Sequence, residues 1–156
     1  MASFASALSR EAETIRRPPP PPLGHYIMTV SKVPGAAEPI NTLKFQGSKL
    51  TIPLQIVSPS DDVDADELEA FGNPASFALR LDFMFNEAPG EEMKFESTLN
   101  RLKEFCNSAG VDTNTGTPGE WLMTLPGCQF LGELKHRVNP NDVSEIYPEV
   151  GRVTAI

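Results

Sequence analysis

The chain has 156 residues, enough for one domain; 40% are apolar and the formal net charge is -8. Such an acidic surface repels nucleic acid and anionic lipid at long range, so any such partner would need a local basic face. Fifteen prolines and eleven glycines favour short strands and turns over a helical bundle.

Residues 1–17 can form a short amphipathic helix with Phe4, Leu8 and Ile15 roughly on one side. They lack the apolar core of a signal peptide, and Glu11 and Glu13 do not suit a transit peptide. "RRPPPPPLG" follows, and five consecutive prolines adopt polyproline II, a stiff spacer of about 15 Å. It reads either as an arm holding residues 1–22 away from a domain of residues 23–156, or as a ligand for an SH3-like groove. The arm reading fits better.

"GHYIMTV", residues 24–30, is β-branched and aromatic and predicts the first strand. "TLKFQGSKLTIPLQIV" predicts a hairpin with arms 42–46 and 49–57 and "GS" as its turn. Pro53, unable to donate to a ladder, belongs at an edge or bulge. A loop follows, with one helical turn over 65–71. In "SFALRLDFMF", residues 76–85, Phe77, Leu79, Leu81, Phe83 and Phe85 alternate with Ala78, Arg80, Asp82 and Met84, the period of a half-buried strand.

Residues 93–110 predict the main helix. Phe95, Leu99, Leu102, Phe105 and Cys106 follow helical spacing, and Gly110 is placed to stop it. "TPGEWLMTLPG" predicts a shorter helix over 118–125. "CQFLGELKHR", residues 128–137, predicts a strand with Cys128, Phe130, Leu134 and His136 on one face and Gln129, Glu133, Lys135 and Arg137 on the other. "VNPND" turns the chain into a last strand, interrupted at Pro148. No internal repeat is present, and no apolar run reaches the ~18 residues of a membrane span.

Strands, then a helix, then two strands, is the element order of the oligonucleotide/oligosaccharide-binding barrel, five strands with a helix between the third and fourth. The expected fold is therefore mainly β: an OB-like barrel preceded by a flexible N-terminal arm.

A family resemblance points the same way. The layout "MASFASALSREAETIRRPPPPPLGHYIMTV" resembles the start of small tailed-phage proteins, in which a short segment and a Pro-rich link precede a G-x-Y strand. The end, "GCQFLGELKHR" with "IYPEVGRVTAI", resembles phage OB-fold proteins of the single-stranded DNA-binding type. The resemblance spans most of the chain as layout, through short motifs. It implies single-stranded DNA binding in phage replication or recombination, in the host cytoplasm, with replication or recombination proteins as partners. Many such proteins end in an acidic recruiting tail. This chain ends "GRVTAI" and carries its acidic run internally, which puts recruitment through such a tail in doubt.

A single-strand groove needs cations for phosphates and flat rings for bases. The candidates are Lys44, Lys49, Arg80, Lys135, Arg137 and Arg152, with Tyr26, Phe45 and Tyr147 as rings. If the strands close as a barrel, these cations line one groove; otherwise each is a scattered surface charge. Tyr26 and Phe45 also suit a core.

The acidic run "DDVDADELE" supplies Asp61, Asp62, Asp64, Asp66, Glu67 and Glu69. With those six set aside, the rest of the chain carries only -2. The run reads as a solvated loop, a partner-binding segment, or a DNA mimic. It lacks the glycine and spacing of a calcium loop.

No HExxH, CxxC or glycine-rich phosphate loop occurs, so the expectation is no enzyme, no metal and no cofactor. Cys106 and Cys128 suit two thiols in a reducing compartment better than a disulfide. Two alternatives to DNA binding stand: an assembly protein that self-associates through its N-terminal arm, and an acidic inhibitor of a host protein.

Overall fold

The structure, a computed structural model, describes residues 3–11 and 18–156. Of the helix predicted over 1–17, the described residues 3–11 form one short turn, α1 (Phe4–Ala7), capped by the Ser3 hydroxyl; Ile15 lies outside the described residues. Then come β1 (Gly24–Val30), β2 (Glu38–Asn41), β3 (Gln46–Pro59), α2 (Ala65–Phe71), β4 (Ala78–Asn86), α3 (Glu92–Ser108), α4 (Pro118–Thr124), β5 (Gln129–Asn139) and β6 (Asp142–Thr154).

All six strands join one antiparallel sheet. β1 is central, paired with β3 on one side and β5 on the other; β6 pairs with β5 and β4 with β3. β3 is long enough to take two strands on one side: its start pairs with β2 and its end with β1. Among the described residues the sheet does not close. β4 and β6 come into contact but share no ladder.

The inward faces follow period two. Tyr26, Met28 and Val30 of β1, Leu50, Ile52, Leu54 and Ile56 of β3, Leu79 and Phe83 of β4, and Phe130 and Leu134 of β5 form one core. α3 covers it with Leu102, Phe105 and Cys106, placed on one face by helical spacing. The Phe105 ring meets Phe83 at 6.1 Å and Phe130 at 5.2 Å, tying helix to sheet. α4 adds Trp121, and Leu125 follows directly. Thr117 caps α4, and Pro118 occupies its first turn, where no N–H is missed. Gly110 takes a φ of 97° just past α3, as expected of a helix stop.

Three sequence expectations change. The hairpin turn is not "GS" but Thr42–Phe45, closed by the Thr42 N–H to Phe45 O and by the Phe45 N–H to the Thr42 hydroxyl. Gly47 lies inside β3 because β4 crosses so close that any Cβ there would strike the Phe85 carbonyl. Pro53 is paired on its β4 side only: the β2 ladder ends at Lys49 and the β1 ladder begins at Leu54, so its other side is a local edge, as expected. Its carbonyl faces the β1 side and accepts the Ser31 N–H just past the end of β1, so no ladder bond is lost there. β6 runs unbroken through Pro148, which its place at the sheet edge permits.

The third change concerns the proline run. Pro20, Pro21 and Pro22 are buried, so the domain begins before residue 23 and this part of the run is not a free spacer. Two carbonyls hold it: Pro22 O accepts the Tyr26 hydroxyl at 2.7 Å, and Pro21 O lies 2.7 Å from His136 Nε2. Buried prolines are also out of reach of an SH3-like groove. Polyproline leaves its carbonyls unpaired along the chain, and here the fold supplies the donors.

Candidate nucleic-acid interface

The sheet register decides which sequence candidates share a surface. On β3, Lys49, Thr51, Pro53 and Gln55 point outward, opposite Met84, Asp82, Arg80 and Ala78 of β4. Lys49 and Arg80 therefore stand on one outward face, four residues apart along the ladder, or roughly 13 Å. Lys44 is exposed in the turn that leads into β3, beside a half-buried Phe45 and a fully exposed Leu43. Lys32, which no motif in the sequence singles out, lies exposed in the same β1–β3 connection.

Two carboxylates on this face, Glu38 and Asp82, have bonding partners, and Glu87, just past β4, is bonded on the opposite face beside Ser48. Glu38 Oε2 lies 3.7 Å from Lys49 Nζ, Asp82 accepts the Thr51 hydroxyl at 2.6 Å, and Glu87 accepts the Ser48 hydroxyl at 2.9 Å. Thr51 and Asp82 sit between Lys49 and Arg80, and Met84 and Pro53 stand opposite the two cations on the same face.

Lys135 and Arg137 form a second group. Residues beyond Leu134 run past the end of β1 and pair only with β6, making a two-stranded ribbon that turns at Pro140–Asn141. On its outward face Arg137 lies opposite Tyr147, with the guanidinium 5.9 Å from the ring centre. The Tyr147 hydroxyl donates to Glu145 at 3.0 Å and accepts from Asn139 Nδ2 at 3.2 Å, which fixes the ring. Lys135 faces Glu149 and lies 3.7 Å from Glu133. Asn139 and Glu145 brace this group; they gave no signal in the sequence because their role exists only in the folded ribbon.

The register separates the two groups. Arg80 is level with Pro53, whereas Lys135 lies past the opposite end of β1, roughly 25 Å away along the strands. The single groove expected from sequence is thus two stations at opposite ends of the sheet. Arg152 joins neither. It lies in a separate cleft between β4, α3 and β6.

Tyr26 is not a stacking platform. It is fully buried, and burial pushes its hydroxyl pKa up to about 12, with Asp62 and Glu67 adding to the effect.

The acidic run is also more committed than a solvated loop. Asp62 accepts both the His25 N–H at 3.0 Å and His25 Nδ1 at 2.6 Å, and these bonds hold its carboxyl below the usual carboxylate range. Val63 is buried against Gly24, whose φ of 138° and lack of a Cβ admit the contact. Asp64 caps α2 by accepting the Glu67 N–H at 2.9 Å, and Asp66 and Glu67 sit in its first turn, where negative charge is favoured. Asp61 and Glu69, like the other four carboxylates of the run, are exposed.

The two cysteines are free thiols. Among the described residues, no group of acidic, histidine or cysteine side chains is arranged to hold a metal ion, and no helix is long and apolar enough to cross a membrane.

No protein-family model matches the chain, and no curated protein matches it. The class that the fold and its surfaces define is a β-rich protein of one open antiparallel sheet backed by helices, with basic residues at two ends of its outer face.

Proposed function

We propose that the protein binds single-stranded DNA, tolerant of sequence and without catalysis, along the outer face of its sheet. The observation that carries this reading is the alignment of Lys44, Lys49 and Arg80 on the outward side of β3 and β4 and the loop leading into them.

The strand order supports the same reading. Leaving out β2, which lies within the β1–β3 connection, the path β4-β3-β1-β5-β6 with α3 between β4 and β5 corresponds to the 3-2-1-4-5 order of an OB fold, open between its third and fifth strands. OB folds are partly open barrels that bind oligonucleotides on the face of strands two and three and on the loops between strands one and two and strands four and five. By that correspondence β3 and β4 are strands two and three. The 31–45 segment, with Lys32 and Lys44, and the β5–β6 ribbon, with Lys135, Arg137 and Tyr147, are the two loops. Two stations far apart suit an extended strand, which can reach both, better than a small anion. The fit to phage DNA replication or recombination follows from the resemblance in layout.

The test is fluorescence anisotropy of a labelled dT oligonucleotide at two salt concentrations, with a duplex control. Binding should favour the single strand and weaken with salt. Replacing Lys49 and Arg80 together by Ala should lower the salt slope by about 0.7 for each phosphate left without its cation. No binding at low salt would refute the proposal.

One observation favours a second reading, assembly through the N-terminal segment: Phe4 and Leu8 of α1 stand 80% and 73% exposed. That reading predicts self-association that disappears when residues 1–11 are removed.

A further inference from the structure

The seam where the sheet fails to close contains a cleft of about 340 Å³ bounded by β4, α3 and β6. Leu81, Phe83, Phe105 and Val153 give it apolar walls. Arg101 from α3 and Arg152 from β6 stand at its rim, both exposed. Among the described residues neither guanidinium is in an ion pair. Arg101 lies 5.6 Å from the centre of the Phe83 ring, which orients its planar fork over the apolar wall.

Arg101 and Arg152, from different elements and without an ion pair among the described residues, thus stand at the rim of one cleft of mixed polar and apolar lining in a chain of net charge -8. An arginine fork matches a carboxylate, and the wall beneath matches an apolar side chain. Nucleic acid fits less well. Glu104 also lines the cleft, which therefore suits a single carboxylate at two guanidiniums better than a run of phosphates, and its more accessible walls, Leu81 and Val153, are aliphatic and offer no ring face to a base. The seam is also closed to an added strand, because β4 and β6 already touch.

We propose that this cleft docks an acidic–apolar peptide segment of a partner protein, with a carboxylate held by Arg101 and Arg152 and the adjoining apolar side chain on Leu81 and Val153. The site lies apart from the β3–β4 face and does not depend on the DNA reading, so one molecule could hold a strand and a partner together.

The experiment is nuclear magnetic resonance titration of the ¹⁵N-labelled full chain, following the arginine Nε–H signals and the backbone of residues 151–153. The probe is a capped pentapeptide alternating Glu and Leu. The controls are the same peptide with Gln for Glu, and a dT oligonucleotide. The acidic peptide should move the Arg101, Arg152 and 151–153 signals with a dissociation constant of about 1 mM or tighter, and the Gln peptide should not. Arg101→Gln with Arg152→Gln should weaken the response at least tenfold; both side chains are exposed, so the fold should survive. Equal movement with the Gln peptide, equal movement at Arg137, or no movement at millimolar peptide would overturn the proposal. So would a cleft that responds to dT and not to the peptide. Failure of dT to bind anywhere would count against the DNA reading alone.

Discussion

Replacing Tyr26 with Phe tests whether the proline run is part of the fold. The ring is fully buried and its hydroxyl donates to Pro22 O at 2.7 Å. Phe keeps the ring and its packing but leaves that carbonyl without its donor inside the protein. Orphaning a buried acceptor costs about 1–3 kcal/mol. For a chain of this size each kcal/mol moves the melting temperature by about 2–4 °C, so Tyr26→Phe should melt about 2–12 °C lower.

A second signature lies at high pH. Burial raises the Tyr26 pKa from 10.0 to about 12. Between those values the unfolded chain has released the proton and the folded one still holds it. The unfolded state then binds fewer protons, so stability falls as pH rises through this window and is unaffected by this group below pH 10. Phe at 26 removes that part of the alkaline decline. Urea unfolding of the full chain at pH 7 and across pH 9–12 measures both effects, with an unchanged denaturant slope showing that the folded state is intact. A loss under about 0.5 kcal/mol, the range of an unconstrained surface site, together with an unchanged alkaline limb, would refute the reasoning.

Two further outcomes follow from packing. Gly47→Ala puts a methyl against the Phe85 carbonyl at the β3–β4 crossing and should cost about 1–3 kcal/mol by urea unfolding; Gly35→Ala, with open space around it, should cost almost nothing. A disulfide reagent at pH 8 should modify Cys128 first, since it is partly exposed. Cys106 is fully buried, its thiol pKa pushed up to about 11 by burial, so it should react only on unfolding; equal rates for the two thiols would contradict the packing.

The sequence by itself determined the elements whose signals are local. The alternation in residues 76–85 and the spacing of Phe95, Leu99, Leu102 and Phe105 each encode a face, and β4 and α3 form where those patterns lie. Pro118 and Gly110 mark a helix start and a helix stop through backbone geometry that needs no distant partner.

Tertiary structure decided everything that depends on which strand lies beside which. Gly47 reads locally as a turn residue and becomes a strand residue because β4 crosses it. Tyr26 suits a core better than a binding platform from its sequence, and only the fold, with Pro22 over its hydroxyl, decides between them. Asp62 reads as one carboxylate in a solvated run until His25, 37 residues away, bonds to it. The candidate site shows the same limit. Residue type named Lys49, Arg80, Lys135 and Arg137 as a set, but only the register assigns them to two stations at opposite ends of the sheet. Pairing across a sheet is fixed by the summed burial of many distant side chains, and no short stretch of sequence carries that sum.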